Sequence, residues 1–394
     1  MDKALKILFV KDKLVWPRSS GHDVHCFYMM QSLAALGHQV SLATLKELSP
    51  EATAHAGLVA TYLLTGNIDS DAPPINLTPL QEKFRNYWGI REDVIREIGH
   101  LARELQVDAV VVVGLNVLPF LGAVQDAARI WYAGDEWFWH HWSQVHFSKP
   151  RSWGEFKAGA IKGLYERKYG SLCDRTWVVS DSDRKAMRWI AGHSSVDVLP
   201  NGVDTVYYSP TQVGTVPNSA VFWGRLDFGP NIQALQWFCT NVWPNVRAAI
   251  PNAIFSIYGF QLTEPVRRLE QPENGIRIFA DMPDIRLEIQ KHRAVVLPFV
   301  SGGGIKNKLL EAAALGQAIV CTPRTVKGLD CSNAVMLAKS PREWMESLKR
   351  VFSDSELRSK LGLQARSWVE KEHTWDAVAA NAVQGIEETL GNKQ

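Results

Sequence analysis

Short apolar runs alternate along the chain with longer segments in which apolar residues recur every three or four positions. The first run, Leu5–Val10, is followed by a loop, a helical pattern over Gly21–Leu36 and a second apolar run at Gln39–Leu45. Apolar runs of this kind are typical of parallel strands buried on both faces. The order predicts a βαβ unit, and Ser19 or Ser20 can cap its helix.

The alternation continues and then restarts after the turn signal Asn201-Gly202 and a polar stretch to Asn218. Three helical patterns occupy the tail from Glu343. The pattern predicts two doubly wound α/β domains facing each other across a cleft. The further predicted strands are 109–113, 130–133, 177–180, 220–223, 254–258, 276–279, 294–298 and 318–321, and the main predicted helices are 90–105, 156–171, 231–242 and 305–315.

Length and composition agree with this organisation, since 394 residues suffice for two domains of ordinary size. A formal net charge of +2 does not indicate a nucleic-acid partner. The five cysteines include no C-x-x-C pair, so we expect reduced thiols and no zinc site. The apolar run at the amino terminus is too short for a signal peptide, and no uncharged run reaches membrane-spanning length. The expectation is a cytoplasmic protein.

The clearest candidate for a binding site follows the predicted strand that ends at Pro298. Gly302, Gly303 and Gly304 connect this strand to a predicted helix, which carries Lys306 and Lys308. Glycines let backbone N–H groups approach an anion, and a helix amino terminus adds positive partial charge. This pattern favours a phosphate site. A tight turn with solvated lysines is the alternative. Neither a Walker motif nor a G-x-G-x-x-G after the first strand is present, which argues against a P-loop enzyme or an NAD dehydrogenase.

Four segments together carry a resemblance: Leu199-Pro200-Asn201-Gly202-Val203-Asp204, Trp223-Gly224-Arg225-Leu226, Pro230-Asn231 and Pro298–Gly316. In order and spacing the chain resembles the family 4 (GT4-like, group 1) retaining glycosyltransferases of the GT-B fold. The resemblance implies a nucleotide-sugar donor bound mainly by the carboxy-terminal domain, an acceptor bound mainly by the amino-terminal domain, and no obligatory metal ion or cofactor. We expect domains at 1–203 and 204–373, with a last helix at 374–394 packing back on the first.

The resemblance also implies roles for residues of the second domain. Glu311 matches the glutamate that binds the donor ribose, but Gly303 stands where the family has the first glutamate of a Glu-x7-Glu element. We therefore expect the backbone amides of Gly302, Gly303, Gly304 and Ile305 to hold the sugar and phosphates instead.

Arg225 matches the arginine that meets the donor pyrophosphate, with a surface ion pair as the alternative. The family lysine that follows this arginine is missing, and Lys306 or Lys308 is expected to replace it. For the base, the segments containing Gly259 and Asp281 resemble the loops that bind through backbone groups. Phe279 beside them is either a core residue or a stacking platform.

In the first domain, Ser20 and Gly21 resemble the glycine loop near the donor phosphates and acceptor. His22 is expected on the acceptor side and His25 in the core, because no third ligand supports a metal pair.

Asp135 matches the aspartate of the family's acceptor-side His-Asp segment. We expect Asp135 or Glu136 to accept the acceptor's proton. Capping of the following helix is the alternative role.

Residues 149–168 carry six basic against two acidic residues, with aromatic and aliphatic residues between them. This segment is either a surface for anionic lipid or a solvated helix with its apolar stripe against the domain.

The sequence thus predicts a glycosyltransferase (hexosyltransferase type) that moves a sugar from a nucleotide-diphosphate-sugar to an acceptor hydroxyl, in surface polysaccharide or glycoconjugate biosynthesis. The acceptor is a saccharide or a lipid-linked molecule. The alternatives are a nucleotide-sugar epimerase on the same fold and an inactive nucleotide-sugar-binding relative.

Overall fold

The computed structural model of the chain describes residues 4–15, 21–48, 53, 56–66, 75, 77–87, 89–134, 153–301, 306–331 and 333–393. Its contacts divide the chain into two compact units. Unit 1 comprises Met1–Pro200 and Trp375–Gln394, and unit 2 comprises Asn201–Thr374.

Unit 1 is built on a seven-stranded parallel sheet in the order β3-β2-β1-β4-β5-β6-β7. Its strands are β1 (Lys6–Lys11), β2 (Gln39–Thr44), β3 (Ala60–Leu63), β4 (Ala109–Val113), β5 (Ala128–Gly134), β6 (Arg175–Val178) and β7 (Val196–Val198). Its α-helices are α1 (Gly21–Ala35), α2 (Pro79–Tyr87), α3 (Glu92–Glu104), α4 (Trp153–Tyr169), α5 (Asp181–Ala186) and α13 (Trp375–Gly391).

Alternate residues of the unit 1 strands fill two separate cores, one on each face of the sheet. In β1, Leu8 and Val10 pack on the face covered by α3. Ile7 and Phe9 pack on the opposite face, with residues of α1 and α13. Both faces are therefore covered by helices, as parallel sheets require.

Unit 2 is built on a six-stranded parallel sheet in the order β10-β9-β8-β11-β12-β13. Its strands are β8 (Val216–Arg225), β9 (Ile254–Phe260), β10 (Ile276–Ala280), β11 (His292–Leu297), β12 (Ile319–Cys321) and β13 (Met336–Leu337). Its α-helices are α6 (Gly229–Trp237), α7 (Trp243–Ala249), α8 (Glu264–Arg267), α9 (Arg286–Gln290), α10 (Asn307–Ala314), α11 (Pro341–Ser353) and α12 (Ser355–Glu372).

Both sheets start at an inner strand, grow to one edge and then return to grow toward the other. This is the order 3-2-1-4-5-6 of doubly wound folds. The prediction of two doubly wound α/β domains is therefore confirmed. Each sheet has one point where the direction of winding reverses, between β1 and β4 in unit 1 and between β8 and β11 in unit 2.

Several local predictions were incomplete. The edge strands β3 and β7 and the helix α2 were not predicted. β3 is half-buried and only four residues long, so its apolar signal is weak. The helix predicted over 231–242 ends at Trp237, continues as a π-helical turn at Phe238–Val242 and is followed by α7. Pro244 near the start of α7 has no N–H to donate to a continuous helix.

Candidate active site

The reversal point of the unit 2 sheet brings two chemically distinctive segments together. The last residues of β8 are Trp223, Gly224 and Arg225. The neighbouring strand, β11, ends at Leu297 and leads toward the glycine segment and α10. In open α/β sheets, ligands bind at the carboxyl ends of strands at this point. The sheet order therefore places a candidate ligand site at the carboxyl ends of β8 and β11.

Lys306 and Lys308 flank the start of α10, and both ammonium groups lie near one aromatic ring. Their Nζ atoms are 5.5 and 6.0 Å from the centroid of Phe299. Lys308 Nζ is also 5.6 Å from the centroid of Phe222. Attraction to ring faces helps to hold two cations close together. The structure thus brings together the two lysines that the sequence singled out.

Gly224 makes room for Lys308 at the end of β8. A Cβ atom built on Gly224 would lie 2.5 Å from Lys308 Nζ and 2.4 Å from its Cε. The φ of Gly224 is +130°, a conformation that L residues rarely adopt. A side chain at this position would therefore displace the end of the lysine side chain and strain the backbone.

Glu311 stands one turn after Lys308 on α10, and its carboxylate is bound from the sheet. Trp223 Nε1 donates to Glu311 Oε2 over 2.7 Å. Within the described part of the chain, no other hydrogen bond reaches this carboxylate. Glu311 can therefore still accept the hydroxyl donors that its predicted role requires.

Burial shifts the pKa values of both charged groups on α10 toward their neutral forms. It lowers the pKa of Lys308 from its usual 10.5, and the Glu311 carboxylate opposes this change. It raises the pKa of Glu311 from its usual 4.5, against the Trp223 hydrogen bond and the Lys308 charge. Such shifts are frequent at functional sites, because a desolvated charge interacts strongly with a ligand.

Arg225 forms the ion pair that was the alternative to phosphate binding. Its Nε and Nη2 atoms donate to Asp227 over 3.0 and 2.7 Å. About half of the arginine side chain remains exposed. The neighbouring Asn231 Nδ2 donates to the Arg225 carbonyl over 2.7 Å and fixes the backbone at this turn. The guanidinium is thus accessible, but a phosphate would have to replace a carboxylate.

The predicted base-binding residues lie together at the adjoining ends of β9 and β10. Gly259 is packed so closely that a Cβ atom would lie 2.0 Å from the Gly224 carbonyl oxygen. Asp281 adopts a positive φ of 57°, and its N–H donates to the Gly259 carbonyl over 2.7 Å. Phe279 stacks on Tyr258 with centroids 4.9 Å apart. The Phe279 ring is only partly buried.

Two family models match most of the chain. A model described as Glycosyltransferase Family 4 matches residues 19–207, and one described as Glycosyl transferases group 1 matches residues 217–354. The chain is a GT4-like, group 1 glycosyltransferase. No curated protein matches it.

Solved structures resemble this glycosyltransferase over its whole length. A glycosyltransferase from Rickettsia africae is 13% identical with a TM-score of 0.68, covering 99% of this chain and 100% of that one. Sucrose-phosphate synthase from Thermosynechococcus elongatus is 13% identical with a TM-score of 0.66, covering 98% and 100%. Anabaena HepE in complex with UDP is 11% identical with a TM-score of 0.68, covering 98% and 100%. At these identities the likeness shows the fold, and it confirms the Rossmann-like GT-B architecture.

The predicted residues of the first domain are only partly described in the glycosyltransferase. Gly21 and His22 begin α1. His25 is buried, with its ring 5.0 Å from that of Tyr132 and 4.8 Å from that of Trp375, as expected of a packed histidine. Ser20, Asp135 and Glu136 lie outside the described part of the chain. The same holds for four predicted residues of the second domain: Gly302, Gly303, Gly304 and Ile305.

Two residues near the site were not selected from the sequence. Trp223 lies in an apolar strand and has the pattern of a core residue, so its bond to Glu311 leaves no sequence signal. Asn201 belongs to a segment that carried the resemblance, and its Nδ2 donates to Oδ1 of Asn307, the first residue of α10, over 2.6 Å. An asparagine in a turn is usually explained by the turn itself.

Proposed function

We propose that this glycosyltransferase transfers a sugar from a nucleotide-diphosphate-sugar to an acceptor hydroxyl, with the donor bound by unit 2 at the carboxyl ends of β8 and β11. The observation that carries the proposal is the pair of groups on α10. Lys308 offers a partly buried ammonium to the diphosphate, and Glu311 offers a carboxylate to the ribose hydroxyls. A cation and a carboxylate one helical turn apart suit the diphosphate and the adjoining ribose of a nucleoside diphosphate.

Catalysis would consist mainly of stabilising the leaving diphosphate, on which negative charge grows in the transition state. Lys306 and Lys308 would supply positive charge, as would the amides of residues 302–305 in the role proposed for them from the sequence. Arg225 would join them after exchanging Asp227 for a phosphate, a small cost because exposed ion pairs are weak.

Because these groups already provide the charge, we also propose that no metal ion is obligatory. The rate should be unchanged after dialysis against EDTA. Restoration of a lost rate by Mg²⁺ or Mn²⁺ would contradict this proposal.

Three neighbours suggest which substrates to test first. HepE was solved with UDP and with UDP-glucose. TarM from S. aureus was solved with UDP and α-GlcNAc-glycerol, and WaaG is a glycosyltransferase involved in lipopolysaccharide biosynthesis. We propose a UDP-sugar donor and a surface polysaccharide or glycoconjugate product. We further propose transfer with retention, with Asp135 or Glu136 near the acceptor hydroxyl. The proton NMR coupling of the product's anomeric centre tests retention.

The test of function begins with thermal shifts against UDP, GDP, ADP and dTDP and their sugars. A ligand at 100 times its dissociation constant stabilises the folded state by about 2.7 kcal/mol. Release of nucleoside diphosphate only when acceptor is present supports transfer and argues against an epimerase. Binding without transfer over a broad acceptor panel would instead indicate an inactive relative.

Variants locate the donor site. Glu311→Ala should weaken donor binding, and Lys306→Ala combined with Lys308→Ala should lower turnover. Lys360→Ala, an exposed lysine of α12, serves as the matched control. Unchanged donor affinity and rate in both site variants would rule out this location.

We also propose peripheral contact with a membrane through α4, the described part of segment 149–168. Tyr165 and Tyr169 of this helix face the core. Its large apolar residues Phe156, Ile161 and Leu164 are instead exposed by 38%, 36% and 47%. The solvated-helix alternative requires the apolar stripe to face the domain, so this exposure favours the lipid interpretation.

Charge on the same helix supports an anionic lipid. The exposed side chains described on α4 include Lys157, Arg167 and Lys168, whereas Glu166 is buried. The turn after α5 adds Trp189, which is 92% exposed beside Arg188. Each basic residue near an anionic surface contributes about 1 kcal/mol, and exposed tryptophan favours the interface.

Sedimentation with vesicles tests the contact. Binding to phosphatidylcholine vesicles containing phosphatidylglycerol should exceed binding to phosphatidylcholine alone and should fall with salt. Leu164→Gln and Trp189→Ala should reduce it, whereas Leu363→Gln, at an exposed leucine of unit 2, should not. Equal sedimentation of all variants would refute the surface. None of the helices in the described ranges is both long and apolar enough to cross a bilayer.

A further inference from the structure

Lys308 and Glu311 are close enough to influence each other's pKa, but within the described part of the chain they form no direct ion pair. Residues three apart on a helix are neighbours, and opposite charges at this spacing commonly pair. Within the described part of the chain, Lys308 makes no ion pair. Its ammonium instead lies against Gly224 and the two phenylalanine rings. Something other than distance along the helix must keep the two charges apart.

Trp223 is the group that binds Glu311 from the other side. The residue is 4% exposed and lies in the central strand of the unit 2 sheet, so its ring is fixed by the core. An indole nitrogen only donates, and here it donates to Oε2 of the carboxylate over 2.7 Å. A hydrogen bond to an ionised group is stronger than one between neutral groups, so it can compete with the lysine.

We infer that Trp223 is a positioning residue that holds the Glu311 carboxylate away from Lys308, keeping the carboxylate for the donor ribose and the ammonium for the donor diphosphate. The inference rests on the proposed donor site. Without the indole N–H, the carboxylate turns toward the ammonium, and the two groups satisfy each other rather than a ligand. Trp223 thereby sets how strongly the enzyme prefers ribonucleotide over 2′-deoxyribonucleotide donors.

The experiment compares the dissociation constants of UDP and 2′-deoxy-UDP by calorimetry in the full-length protein. GDP and ADP with their 2′-deoxy forms replace this pair if they give the larger thermal shift. Trp223→Phe keeps an aromatic ring and removes the N–H. It should lower the preference for the ribonucleotide by about fivefold to tenfold, which corresponds to the net value of one ordinary hydrogen bond.

Trp243→Phe is the matched control for loss of a buried indole. Trp243 is 1% exposed, lies in unit 2 and donates from Nε1 to the Asn274 carbonyl over 2.9 Å. Its loss should lower thermal stability about as much as the loss of Trp223. The nucleotide preference should stay at the wild-type value.

A double-mutant cycle separates a positioning role from a merely structural one. In a Glu311→Ala background, Trp223→Phe should no longer change the preference, because the carboxylate through which it acts is gone. An equal loss of affinity for both nucleotides in Trp223→Phe, or an unchanged effect in the Glu311→Ala background, would overturn the inference.

If the proposed donor site is wrong, the same measurements give a different result. If Glu311→Ala leaves the ribose preference unchanged, or if no nucleoside diphosphate binds, the proposed site is wrong and the inference falls with it. A clear effect of Glu311→Ala without any effect of Trp223→Phe refutes the role of Trp223 alone.

Discussion

The two sheets share one strand order. The lysine at the reversal point of one sheet forms a buried ion pair, whereas the lysine at the other forms none among the described residues. In unit 1, Lys11 at the end of β1 lies 2.8 Å from Asp23 in the first turn of α1, and both side chains are less than a tenth exposed. In unit 2, Lys308 at the start of α10 has no ion pair among the described residues. The two reversal points thus hold one neutralised cation and one that has no ion pair among the described residues.

The pKa directions express the same difference. Burial lowers the pKa of both lysines, but at Lys11 the neighbouring Cys26 and Asp23 outweigh burial and raise it. At Lys308 burial dominates, and the pKa is lowered. A buried, compensated charge belongs to the scaffold, whereas a desolvated charge without a partner is a ready site for an anion. This contrast supports the proposed binding of the donor phosphates in unit 2.

Replacing each of the two lysines by methionine should give the largest difference in the free energy of unfolding. Lys11→Met leaves the buried Asp23 carboxylate without its ammonium and should destabilise the protein by about 3–5 kcal/mol. Lys308→Met removes a desolvated cation that has no ion pair, so stability should be unchanged or slightly higher. Chemical denaturation of both variants measures this. Equal destabilisation would mean that Lys308 is also part of the scaffold.

Gly224→Ala should move Lys308 without removing it. The added Cβ would overlap the lysine, and the positive φ would be strained, so donor affinity should fall about tenfold to a hundredfold. Gly214→Ala is the control, because a Cβ at that position meets nothing within 4 Å. Calorimetry with UDP-glucose measures both variants. Wild-type affinity in Gly224→Ala would contradict the contact.

Donor affinity should depend on pH in both directions, by up to about tenfold on each side of neutral. The lowered pKa of Lys308 means that its positive charge is lost as pH rises, already below 10.5. The raised pKa of Glu311 means that its negative charge is lost as pH falls, already above 4.5. Titrations with UDP-glucose from acid to alkaline pH test this. Lys308→Met should abolish only the alkaline decrease, and its persistence would implicate another group.

Freeing Arg225 from its ion pair with Asp227 should have the smallest effect on donor affinity. Asp227→Asn removes the carboxylate that now holds the guanidinium, so donor affinity should rise about twofold to threefold. Stability should change by less than about 1 kcal/mol, because the pair is half exposed. A fall in affinity would show that Asp227 orients Arg225 for the donor rather than competing with it.

Much of the fold followed from the sequence because buried parallel strands leave an unbroken apolar signal. Leu5–Val10 and Ala109–Val113 were found for this reason, and both lie in the centre of the sheet. The edge strand Ala60–Leu63 pairs on one side only and is half exposed, so its sequence carries little signal. The turn from Trp237 to Trp243 was missed because a π-helical turn has the same composition as an α-helix.

The residues of the candidate site also divide into those that the sequence could identify and those that it could not. Lys306, Lys308, Glu311 and Arg225 could be chosen from sequence because their order matches known chemistry along a strand, loop and helix. The role of Trp223 could not, because its partner is 88 residues away and its own neighbours are apolar. The ion pair of Arg225 with Asp227 was foreseen only as an alternative.

By itself, the sequence determined the two α/β domains, the family and the charged residues of the proposed donor site, because strand burial, helix periodicity and short motifs are local properties of the chain. Only the tertiary structure decided which charges are paired. The sequence singled out Lys308 beside its glycine segment, but no pattern in the sequence shows that Lys11 forms an ion pair and that Lys308 forms none among the described residues. The difference arises because folding brings Asp23 to one ammonium and Gly224 to the other, and holds Glu311 on the indole of Trp223.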